Sequence, residues 1–154
     1  MSGQLRDVTS AATNLVARGS LVIQTKGRDF IEITSDAVRF VTEIDGGNGV
    51  LFIFLRHTSA SLLIQENADP TVRNDLATAL SRLAPSDGDW AHDTEGPDDM
   101  PAHIKAALTG VSLHVPVLNG VLALGTWQGI YLVEHRKRPH HRELVLQFIG
   151  EKRH

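Results

Sequence analysis

Three histidines stand in polar company that could do chemistry: His57, His92 and His103. His57 follows an apolar run and leads into Thr58 and Ser59, with Asn67 and Asp69 close behind. His92 lies in an acidic stretch with Asp93, Glu95, Asp98 and Asp99, and His103 precedes Lys105 by two residues. Three neutral imidazoles with an open fourth position suit Zn²⁺, which brings the ionisation of a bound water toward neutral pH. A carboxylate such as Glu95 could then serve as general base or orient a ligand. The separations, 35 and 11 residues, match no short zinc motif. By spacing alone, each histidine could equally satisfy only a local hydrogen bond.

Two other segments are unusual. Gly125 and Gly129 bracket Thr126-Trp127-Gln128. That pattern fits either backbone lying close to a ligand or another chain, or a β-bulge with a buried Trp. The run Glu134-His135-Arg136-Lys137-Arg138, followed by His140, His141 and Arg142, fits a phosphate-binding rim or a solvated turn between strands. Solvent exposure is the simple expectation for His140, His141 and His154.

Composition narrows the classes. A chain of 154 residues, 42% hydrophobic and 21% charged, fits one globular domain with a real core. The net charge of -3 offers no general attraction to nucleic acid or to anionic membrane. The absence of cysteine removes disulfides, thiolate metal sites and thiol nucleophiles. No apolar stretch approaches the roughly 18 residues that cross a bilayer. Met1 to Ala17 lacks the pattern of a secretory signal, so a soluble, cytoplasmic protein is expected.

The elements that must position these residues follow from pattern. Leu21-Val22-Ile23 and Phe30-Ile31-Glu32-Ile33 read as strands around a turn at 26–29. Thr34-Ser35-Asp36 offers cap chemistry for a helix carrying Val38, Phe40, Val41 and Ile44. Val50 to Leu55 is nearly continuous apolar and predicts a central strand covered on both faces, and Leu62-Leu63-Ile64 a second buried strand. Asp69-Pro70 opens a helix with Val72, Leu76, Ala79, Leu80 and Leu83 at helical spacing, stopped by Pro85. Residues 86–100 form a long acidic loop. A short helix from Pro101 to Leu108 carries His103 and Lys105 and closes at Gly110. Strands follow at 112–115, 121–124, 130–133 and 143–149, with Asn119-Gly120 as a hairpin signal. No internal repeat or interdomain linker interrupts the chain. Residues 1–19 read as a polar lead-in and 20–151 as a single domain.

The segments LRHTSASLLIQENADPTVRNDL, HDTEGPDDMPAHIK and LGTWQGIYLVEHR, in this order, resemble the YjbQ-like family. The likeness runs from about Ser20 to Glu151. It implies a single α+β domain with a mostly antiparallel, β-sandwich-like core and two or three helices, assembled as a homotrimer. The family carries the label secondary thiamine-phosphate synthase. The resemblance implies a divalent metal, zinc, held by His57, His92 and His103. It places Glu95, Asp69 and Lys105 as catalytic groups, and Thr58, Asn67, Gln128, Glu134 and Arg142 as substrate-binding groups. His114, His140 and His141 fall outside its motifs. Relatives often carry Cys where this chain has Ala68, which argues against thiol catalysis.

Three functions follow as expectations. The first joins a pyrimidine diphosphate to a thiazole phosphate, with Lys105, Arg142 and a metal balancing the leaving pyrophosphate. Three imidazoles favour a softer metal than that chemistry asks for. The second is zinc-dependent hydrolysis of a small phosphorylated or acylated metabolite, with Glu95 as base. The third is a trimeric binding protein without turnover.

Overall fold

The computed structural model describes residues 3–153, so His154 lies outside the described residues. Its longest strand comes last. β8 (His141–Lys152) pairs antiparallel with β1 (Leu15–Gln24) on one side and β3 (Gly46–Leu55) on the other. β5 (Ser112–Leu118) and β6 (Val121–Leu122) complete a five-stranded sheet in the order β1-β8-β3-β5-β6. A smaller sheet has the order β2-β7-β4, from Asp29–Glu32, Gln128–Glu134 and Ala60–Glu66. Every pairing is antiparallel. With three helices, this is the α+β sandwich-like single domain that the resemblance implied. β1 begins at Leu15, within the stretch expected to be a lead-in, and its pairing with β8 runs the whole length of the strand.

The core lies between the sheets. Leu51, Ile53 and Leu55 of β3 and Leu144, Leu146 and Phe148 of β8 meet Leu62 of β4 and Ile130 and Leu132 of β7. Each fully buried aliphatic side chain of this kind stabilises by about 1.5–3 kcal/mol relative to exposure. Helix α1 (Thr34–Glu43) closes one end with Ala37, Phe40 and Val41. Its start differs from expectation: Ile33 occupies the cap position with no side-chain cap. The Thr34 hydroxyl, just inside the helix, accepts instead from the Ile130 amide at 2.9 Å, tying helix to sheet. Val38 is exposed.

The strand expected to be covered on both faces is not. Leu51, Ile53 and Leu55 point into the core, but Phe52 and Phe54 remain 41% and 49% exposed. Register places them in cross-strand rows with Gln147 and His114, and with Val145 and Ser112. The strand that is covered on both sides is β7, buried from Gly129 to Glu134. Its second face looks toward helix α2 (Pro70–Leu83), where Arg73 reaches the Tyr131 hydroxyl at 3.1 Å. α2 starts as its sequence predicts, with the Asp69 carboxylate accepting from the Thr71 amide at 2.8 Å and Pro70 in the first turn. It buries no residue completely, so its apolar stripe is only half covered. Asn119 and Gly120 carry φ of 50° and 80° and join β5 to β6, as the hairpin signal required.

Candidate metal centre and the buried charges beside it

Helix α3 (Asp99–Thr109) begins two residues earlier than its sequence suggested. That extension matters, because it brings Asp99 into the helix four residues before His103, on one helix face. The Asp99 carboxylate is buried, and its Oδ2 lies 2.7 Å from His92 Nε2 and 3.3 Å from His103 Nε2. The two imidazole rings are 5.4 Å apart between centroids. Among the described residues, His92, Asp99 and His103 are the group whose donor atoms all lie within 4.8 Å of one another.

The surroundings orient this set. His103 Nδ1 is 2.8 Å from the Thr58 carbonyl, which can only accept, so the hydrogen sits on Nδ1 and the Nε2 lone pair faces Asp99. Two acceptors facing each other at 3.3 Å call for a proton or a cation between them. The other carboxylate oxygen, Oδ1, accepts from Arg136. The Arg136 guanidinium also donates to Asp98 Oδ2 at 3.2 Å and to the Glu95 carbonyl at 2.8 Å, pinning the acidic loop to the strand end. Burial alone would raise the Asp99 carboxyl. The hydrogen bond from His92, the Arg136 charge and His103 outweigh it and hold the group below the ordinary carboxylate range. For Asp98, burial is likewise outweighed, by the Lys137 amide and Arg136.

His57 is placed differently. Its Nε2 accepts from the Glu143 amide at 2.8 Å, so the lone pair that could bind a metal is already engaged. Burial, then the Arg142 charge, lower its pKa and keep it neutral in that role. His57 and His103 nonetheless open onto one shallow depression floored by Phe54, Leu55, Ala106 and Val111.

The other expected site residues fall into two places. Glu134 is buried, and its carboxylate accepts from Arg142 at 2.6 and 2.7 Å, from the Thr25 hydroxyl at 2.9 Å and from the Arg136 amide at 2.9 Å. Burial would raise Glu134, but the Arg142 and Arg136 hydrogen bonds bring it below its usual value. Arg142 also donates to the Ser59 hydroxyl at 3.0 Å. Asn67, Asp69 and Gln128 lie at the far end of the same small sheet. Ala60 pairs with Glu134 at one end and Glu66 with Gln128 at the other, six residue steps or roughly 20 Å away. There Asn67 donates to Glu32 at 3.3 Å, Asp69 caps α2, and Gln128 accepts from the Gly125 amide at 2.8 Å. Trp127 in this loop is 65% exposed, against the buried Trp a bulge would have given. Glu95 is exposed, its carboxylate 3.9 Å from Arg136.

Lys105 is buried on the side of α3 away from His103, and burial followed by the Arg28 charge lowers its pKa. His135, in the stretch that could have been a solvated turn, is buried with Nε2 2.8 Å from the Ser61 hydroxyl. Burial and the Lys105 charge push it down to about 4. Sequence reasoning did not single out Asp99 as a candidate ligand, nor Arg136 and His135 as buried groups. The Asp-x-x-x-His spacing at 99–103 was the available signal for the first.

The same architecture recurs in known proteins. The UPF0047 protein YjbQ-like family model matches residues 19–151. The chain belongs to the YjbQ-like family. It is 50% identical over 145 residues to a UPF0047 protein of Synechocystis, covering 94% of this chain and 99% of that protein. It is 42% identical over 133 residues to the UPF0047 protein YjbQ of Escherichia coli O157:H7, covering 86% and 96%. A crystal structure of a YjbQ/UPF0047 family protein from Clostridium acetobutylicum superposes with a TM-score of 0.78 at 38% identity, covering 84% of this chain and 98% of that one. The fold of this chain is therefore shared with that YjbQ-like structure over 84% of its length.

Proposed function

We propose that this YjbQ-like chain is a metal-dependent enzyme acting on a small phosphorylated metabolite, with His92, Asp99 and His103 as the metal ligands. The observation that carries the reading is the unresolved pairing of acceptors: His103 Nε2, its tautomer set by Thr58, faces a carboxylate that Arg136 keeps charged. Two imidazoles and one carboxylate suit zinc or another divalent transition metal. Such an ion would act as a Lewis acid and lower the pKa of bound water. Around it, Arg136 orients Asp99, the Thr58 carbonyl orients His103, and Glu95 stands exposed within reach of solvent to take a proton. His57, bound to the Glu143 amide, positions the strand end rather than completing the ligand set.

This donor set supports hydrolysis best. A secondary thiamine-phosphate synthase activity is the second reading, favoured by the buried cation Lys105 beside the small sheet, whereas Arg142 is already spent on Glu134 and Ser59. Assembly as a homotrimer belongs to the same proposal, supported by the uncovered Phe52 and Phe54 on the large sheet.

Metal analysis of protein carrying no histidine tag, followed by zinc titration, tests the ligand assignment. One equivalent per chain is expected, lost in His92→Ala and His103→Ala. Absence of stoichiometric metal after zinc titration, or unchanged affinity in both variants, overturns it. A panel of phosphomonoesters and acyl phosphates then reads turnover, and growth of a thiamine-requiring strain separates synthase from hydrolase.

A further inference from the structure

On the other side of α3 from the histidines, α2 and the small sheet enclose a cleft of about 390 Å³. Its lining includes Arg28 from the turn before β2, Phe30 from β2, Arg73 and Asn74 from α2, Lys105 from α3 and His135 after β7. Lys105 is only 4% exposed, yet its amine has no hydrogen-bond or ion-pair partner among the described residues. It is not sealed from solvent, since no buried side-chain nitrogen among the described residues lacks a partner, and the cleft is the cavity it lines. Asp98 attracts it without forming an ion pair, and that carboxylate already accepts from Arg136 and the Lys137 amide, so an ammonium this deep is costly unless an anion meets it.

The neighbouring cations are only partly engaged. Arg28 donates through Nε to the His135 carbonyl at 3.3 Å and through one terminal nitrogen to the Ser86 hydroxyl at 3.5 Å. Arg73 spends one terminal nitrogen on the Tyr131 hydroxyl at 3.1 Å and lies over that ring. Two carboxylates also line the cleft, but neither answers Lys105. Glu134 is taken up by Arg142, Thr25 and the Arg136 amide, and exposed Asp29 accepts from its neighbour's amide. Two guanidinium groups and one ammonium lining one cleft, beside the apolar Phe30, Leu80 and Val133, match a phosphate group carried on a small organic body. The volume lies within the range of small-molecule sites.

We infer that this cleft binds the phosphate of a small phosphorylated ligand, through Lys105, Arg28 and Arg73. The inference stands apart from the metal reading, because its residues and its probe are different. Inorganic phosphate and pyrophosphate are titrated calorimetrically into the full chain, in EDTA, against chloride of matched ionic strength. Saturable binding is expected, weakened about tenfold or more in Lys105→Met and in Arg73→Gln, since each removes a charge-assisted hydrogen bond. Arg28→Gln and Arg73→Gln alter side chains that are not deeply buried, so the test survives if Lys105→Met does not fold. His92→Ala should retain wild-type affinity. Three results overturn the assignment: no saturable binding beyond the chloride control, undiminished affinity in the three cleft variants, or loss of binding in His92→Ala. The last would place the anion at the histidine cluster.

Discussion

The buried imidazole of His135 makes acid sensitivity calculable. Its pKa falls from an ordinary 6.5 to about 4 because burial, then the charge of Lys105, disfavour the protonated ring, with Glu134 opposing only in part. The unfolded chain takes up a proton near 6.5 while the folded chain does not. His135 therefore contributes stability in full above pH 6.5, and that contribution is lost as the pH falls from 6.5 to about 4. A shift of that size amounts to about 3 kcal/mol, at roughly 1.4 kcal/mol per pH unit. Replacing His135 by Gln removes the titration while leaving an amide to meet the Ser61 hydroxyl. Urea unfolding of both proteins, at one fixed concentration from pH 7.5 to 4.5, should show the wild type losing stability relative to His135→Gln by that slope. His57, also lowered by burial, titrates in both proteins and cancels in the difference. Parallel pH profiles, or an imidazole NMR signal from His135 titrating near its ordinary value, would refute the reasoning.

Two further outcomes test other parts of the structure. Glu134→Gln leaves the Arg142 guanidinium buried without its counter-charge, which should cost about 3–5 kcal/mol in chemical denaturation; a variant as stable as wild type would show that the pair is dispensable. On the outer face of the large sheet, Phe52→Glu with Phe54→Glu should convert a trimer to a monomer by light scattering. A wild-type chain that is already monomeric at micromolar concentration would remove the assembly from the proposal.

Local chemistry was legible wherever a short segment decides its own conformation. Asp69-Pro70 started α2 because cap and first turn lie within three residues, and Asn119-Gly120 turned because both tolerate positive φ. What escaped was decided at a distance. Six apolar residues at Val50 to Leu55 could not disclose that Phe52 and Phe54 would stay on an open face of β3, whereas β7 would be buried from Gly129 to Glu134. Thr34 carried the chemistry of a cap but spent its hydroxyl on Ile130, nearly a hundred residues away. The run after Glu134 could be read as a phosphate rim or a solvated turn; Lys137 and Arg138 are exposed, but Arg136 is buried because its counter-charges, Asp98 and Asp99, come from a segment remote in sequence. Of the three histidines, His92 and His103 meet while His57 turns to a backbone amide, and the third member of the candidate cluster is a carboxylate one helical turn from His103.

The position of β8 also governs how the molecule comes into being. The strand made last lies between β1 and β3, so residues 141–152 must emerge from the ribosome before the large sheet can join its two halves. Until then the core-facing side chains of β1 and β3 have no strand between them, and both present open edges to whatever is nearby. Closure at such sequence separation is slow. The nascent chain should thus depend on holdase chaperones until β8 has left the ribosome, and a stop codon early in β8 should yield aggregate rather than a smaller folded protein.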